Sequence, residues 1–95
     1  MKQTLYFMSR YPEPPFQLYR WTLDTTQSEF IDRIDYWDIV NTRWAEYDET
    51  DREDNLVRRS IMGYEPSLKM IDPPDSLREV NELSRVGWRA RRFEN

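Results

Sequence analysis

The richest chemistry in this 95-residue chain is a run of carboxylates in its middle third. Residues 24–54 hold eleven acidic and three basic side chains, a net charge of −8, while the segments on either side carry +2 each. The overall charge of −4 therefore conceals a strong local negative field. Such a field attracts basic partners and repels nucleic acid, phosphate ligands and anionic membranes. Asp32, Asp35 and Asp38 recur every three residues. On a helix they would stand about 4.5 Å apart along the axis, a track comparable with the closely spaced phosphates of DNA, one per about 1.7 Å of duplex. With Glu46, Asp48, Glu49 and Asp51 they predict an acidic surface that binds a basic face of another protein, such as a nucleic-acid site that it would block. The plainer alternative is a charged helix face that is simply solvated.

Other chemistry is poorly served. The chain has no His and no Cys, which removes disulfides, Cys/His zinc sites, thiol nucleophiles and every His-based acid–base pair. Asp48, Asp51, Glu53 and Asp54 suggest a hard-cation loop. An EF-hand counted from Asp48 would nevertheless put Glu53 where glycine is needed and Arg59 where the bidentate acid belongs. Gly63 and Gly87 are the only glycines, so no Gly-rich phosphate loop can form. No pair among the 18 acidic residues stands out for glycosidase-type catalysis. The expectation is a non-enzymatic protein with no cofactor and no metal.

A second charged cluster lies near the C-terminus. Arg85, Arg89, Arg91 and Arg92 are interleaved with Trp88 and Phe93. Beside the sheet aromatics Tyr6, Tyr11, Tyr19 and Trp21, the group Trp88, Arg89, Arg91 and Arg92 gives an alternative reading: stacking on single-stranded nucleic acid. Against it, those aromatics are also suited to a core, and the net acidity makes nucleic acid the less favoured partner.

The elements that must position these groups can be read from periodicity and breakers. Residues 5–11 and 16–23 are rich in aromatic and apolar side chains and predict two strands, joined across Pro12, Pro14 and Pro15 as a hairpin. Thr26 with Glu29 has the spacing of a capping box. It predicts a helix to about Tyr47, with Phe30, Ile34, Trp37, Val40 and Trp44 on its buried side. Thr50 with Glu53 predicts a second helix to Met62, with Leu56, Val57, Ser60 and Ile61 inward and Gly63 beyond its end. A strand over residues 56–62 is the rival. Residues 64–71 read as irregular or briefly extended. Ser76 with Glu79 opens a third helix, Leu77 to Val86, with Leu77, Val80 and Leu83 buried and Gly87 ending it. Residues 88–93 predict a closing strand.

The resulting expectation is a single α+β domain over residues 1–95. A small antiparallel sheet, made of the N-terminal hairpin and the C-terminal strand, packs on one face against two or three helices. The chain is polar, with a mean hydropathy of −0.97, yet 15% of it is aromatic, which favours a small aromatic core over disorder. A core that small leaves scope for stabilisation by a partner or by a homo-oligomer. No apolar run approaches a membrane span, and the first residues lack a secretory pattern, so the cytoplasm is the expected compartment. In general character, a small, cysteine-free, acidic and aromatic-rich α+β chain is similar to some phage-encoded inhibitors, including anti-restriction and anti-CRISPR proteins that occupy nucleic-acid sites. That similarity lies in composition and carries no site residue with it.

Overall fold

Alternating side chains organise the N-terminal half as sheet. The computed structural model describes residues 2–10, 16–25, 31–49, 55–64 and 67–87. Strands β1 (Lys2–Ser9) and β2 (Leu18–Asp24) form the expected antiparallel hairpin, with Tyr6 opposite Arg20 and Met8 opposite Leu18. Strands β3 (Ile31–Asp38) and β4 (Arg43–Glu46) follow, then helix α1 (Leu56–Ile61), strand β5 (Leu68–Ile71) and helix α2 (Leu77–Val86). The strands join in one five-stranded antiparallel sheet, in the order β4-β3-β2-β1-β5. The class is α+β as expected, with a larger sheet and, among the described residues, two helices.

The main correction concerns residues 31–46, where a helix was expected and a β-hairpin is found. The three-and-four spacing of Ile34, Trp37, Val40 and Trp44 imitates a helical stripe. In the hairpin, Trp37 and Trp44 meet instead as cross-strand partners, with rings 5.5 Å apart and edge to face. Val40 stands at the turn and is 86% exposed. Asp38 builds that turn. Its Oδ1 accepts from the backbone N–H groups of Val40 and Asn41, and its Oδ2 accepts from the Asn41 side chain at 2.7 Å. Thr42 completes the reversal with φ +51°. The hydrogen bond from the Asn41 side chain, more than any other interaction, holds the Asp38 carboxyl below its ordinary pKa. A carboxyl depressed in the folded state stabilises above its unfolded pKa, and that contribution is lost as pH falls through the folded value. The amide signals of Val40 and Asn41 should therefore titrate in NMR with a midpoint below that of a free Asp side chain. A midpoint at or above it would contradict the turn geometry.

The two helices lie on opposite faces of the sheet, not together on one. Cross-strand partners share a face, so Met8, Leu18, Trp37 and Ile71 point the same way and form one core with Val80 and Leu83 of α2. Phe7, Ile34 and Leu68 are buried on the other face, the side on which α1 packs. Helix α2 has the predicted bounds. Ser76 Oγ accepts from the Glu79 N–H, while the Glu79 carboxylate reaches back to the Asp75 N–H, one residue before the cap. At its end Gly87 has φ +64°, and a Cβ there would lie 2.4 Å from the buried Phe16 ring. Helix α1 begins at the Asn55 cap, whose Oδ1 accepts from Val57 and Arg58, and ends before Gly63 at φ +90°. Leu56 and Leu77, expected inward, are 61% and 58% exposed. Each is the first residue of its helix, a turn ahead of the buried Ser60 or Val80.

Residues 64–71, read as irregular or briefly extended, contain the edge strand β5. The Thr26–Glu29 and Thr50–Glu53 capping boxes and the closing strand at 88–93 lie outside the described residues. Among the described residues no helix is long and apolar enough to cross a membrane.

Candidate functional site

The sheet divides the predicted carboxylate track between its two faces. With side chains alternating along β3, Asp32 and Asp38 project to the α1 side and Asp35 to the α2 side. No continuous acidic stripe results.

Asp35 is 2% exposed and is the most deeply buried charge described. Its two oxygens accept from two different arginines: Oδ2 from Arg20 Nε at 2.8 Å and Oδ1 from Arg33 Nε at 2.7 Å. Arg20 lies directly across from Asp35 in the ladder, while Arg33 is two residues before it on the same face. The strand geometry thus converges both cations on one anion. The Arg20 side chain is 31% exposed and the Arg33 side chain 52%. The Arg20 guanidinium also lies over the Trp44 ring, 4.9 Å from its centroid, a favourable cation–π position. The hydrogen bond to Asp35 is the main reason the Arg33 pKa is raised. Around the pair lies an open basin of about 280 Å³, lined by Lys2, Arg20, Thr22, Asp24, Arg33 and Asp35. It occupies the half of the sheet face beyond the α2 core.

The opposite face carries a second ion network with a structural task. Arg58 of α1 bonds to Asp32 through Nη1 at 2.6 Å and to Glu49 through both Nε and Nη2. Asp32 also accepts from Trp21 Nε1 at 3.0 Å. The network clamps the short helix α1 to β2, β3 and the segment after β4. The hydrogen bond to Glu49 is the largest influence raising the Arg58 pKa. Next to it, Ser9, Tyr19, Val57, Ser60 and Leu68 help line a smaller, mainly apolar cavity of about 190 Å³.

The seven acidic residues read from the sequence as one surface therefore have separate tasks. Asp35 is buried between arginines, and Asp32 and Glu49 are bound by Arg58. Asp38 holds a turn, Glu46 and Asp48 are exposed, and Asp51 lies outside the described residues. Trp88, Arg89, Arg91 and Arg92 of the alternative nucleic-acid surface are also outside them, as is Tyr11. The remaining sheet aromatics already have protein partners: Tyr6 packs near Trp44, Tyr19 against Tyr47, and Trp21 bonds to Asp32. Among the described residues, no group of three or more acidic side chains is arranged to hold a metal ion.

Sequence reasoning missed Arg20 and Arg33. The available signal was an arginine within each of two β-rich segments, with Asp35 two residues after Arg33 on an alternating pattern. It is legible only once residues 31–38 are read as strand. No family model, curated protein or solved structure matches the chain.

Proposed function

We propose that the chain is a non-enzymatic protein-binding module whose working surface is the charged half of the sheet face around Arg20 and Arg33. One observation carries this reading: a single buried carboxylate holds two partly exposed guanidiniums side by side at the rim of an open basin. Guanidiniums fixed before binding lose less side-chain entropy when they meet a partner, and arginine is enriched among residues that dominate interface energy. The absence of His and Cys from the sequence and the internal pairing of Asp32, Asp35 and Glu49 favour binding over catalysis. Among the described members of the predicted acidic surface, a partner with a basic face would be left with Asp38, Glu46 and Asp48. Asp38 and Glu46 project from opposite faces of the sheet, which makes that mode the weaker fit.

The test is affinity capture with the full chain, the Arg33→Glu variant and an Arg78→Glu control on the exposed side of α2. Raising salt from about 0.1 M to about 1 M shortens the screening length from about 10 Å to about 3 Å. Proteins captured by the native chain and the control should be released by salt and absent with Arg33→Glu. An unchanged set of proteins on Arg33→Glu, still held at high salt, would overturn the proposal.

A further inference from the structure

We infer that the group taken by Arg20 and Arg33 together is the side-chain carboxylate of an acidic peptide segment. The inference rests on the working face proposed above and names the chemistry of its ligand.

The spacing comes from the protein itself. Asp35 gives one oxygen to each Nε, so the two guanidiniums are set apart by the span of one carboxylate. Among the described residues their terminal nitrogens form no further hydrogen bond. A second carboxylate on the solvent side can therefore bridge the same two cations through Nη, as Asp35 does from below through Nε. Such charge-assisted contacts are stronger than neutral hydrogen bonds.

Charge narrows the choice. The basin is lined by three cations, Lys2, Arg20 and Arg33, and two anions, Asp24 and Asp35, and Glu46, across the ladder from Asp35, adds a negative charge that already acts on Arg33. A singly charged carboxylate is therefore opposed less than a phosphate monoester, which brings nearly two charges at neutral pH. The Trp44 face that would stack a base is occupied by Arg20.

The experiment titrates the full, isotope-labelled chain with a blocked Gly-Glu-Gly peptide, its Gly-Gln-Gly counterpart and inorganic phosphate, following the arginine Nε–H and Thr22 amide signals by NMR. The glutamate peptide should give saturable shifts at Arg20, Arg33 and Thr22. Binding should be about tenfold weaker with the glutamine peptide and with the Arg33→Gln variant. Glutamine equal to glutamate, phosphate tighter than glutamate, or no saturable shift would each overturn the inference. If the peptide fails while Arg33→Glu still abolishes partner capture, the working face stands and the carboxylate falls. If the peptide binds while capture ignores Arg33, the working face falls instead.

Discussion

Replacing Asp35 by alanine should destabilise the fold by about 2–3 kcal/mol, because it leaves Arg20 and Arg33 facing each other with no anion between them. The estimate lies below the range for a fully buried pair because both arginine side chains reach solvent, at 31% and 52% exposure. For a domain of this size the change corresponds to a Tm lower by roughly 8–24 °C. Asp35→Asn keeps the volume and one acceptor but loses the charge, and should fall between the native chain and alanine. Denaturant unfolding measures both. A loss under about 0.5 kcal/mol for alanine, the scale of an ordinary surface substitution, would show that the two arginines do not depend on this carboxylate.

A larger loss of stability is expected at Leu83. It is fully buried at the centre of the core that joins α2 to the sheet, with Met8, Leu18 and Trp37 in the same cluster. Leu83→Ala should cost about 3–4 kcal/mol, the lost transfer energy plus the cavity left by neighbours that cannot close it. The neighbours are constrained. Trp37 Nε1 donates to Asn81, and Phe16 is tied to Ser84 in both directions, through its N–H and its carbonyl. In a domain this small that cost is a large share of the total stability. Leu77→Ala, at an exposed site on the same helix, should cost less than about 1 kcal/mol and serves as the control. Equal losses at the two positions would contradict the orientation of α2.

The contrast between these helices and the middle of the chain explains what could be read in advance. Helix α2 was legible because three local signals agree: the Ser76 cap with Glu79, the Val80–Leu83 stripe and Gly87 at positive φ. The β1–β2 hairpin was legible from its aromatic and apolar strands. Strand β3 was not, for a physical reason. It has cores on both sides, Ile34 facing α1 and Trp37 facing α2, so its apolar residues do not alternate cleanly. Asp35, which is buried, counts as polar in any pattern and strengthened the false helix. The turn from Asp38 to Thr42 contains neither Gly nor Pro. Its signal was the capacity of Asp38 and Asn41 to hydrogen-bond locally.

The same misreading shaped the expected site. A helix would have aligned Asp32, Asp35 and Asp38, whereas a strand sends Asp35 to the opposite face from the other two. Arg58 of α1 binds Asp32 and Glu49 across the fold. Long-range ion pairs of this kind depend on sheet register, which local sequence does not specify.

The most direct test of the central claim is hydrogen exchange at arginine Nε–H groups, read by NMR on the native chain. Pinned by Asp35, the Nε protons of Arg20 and Arg33 should exchange more slowly than that of the exposed Arg78, and the protection should vanish in Asp35→Ala. Exchange at Arg20 and Arg33 as fast as at Arg78 would mean that no carboxylate holds them, and the proposed binding face would lose its basis.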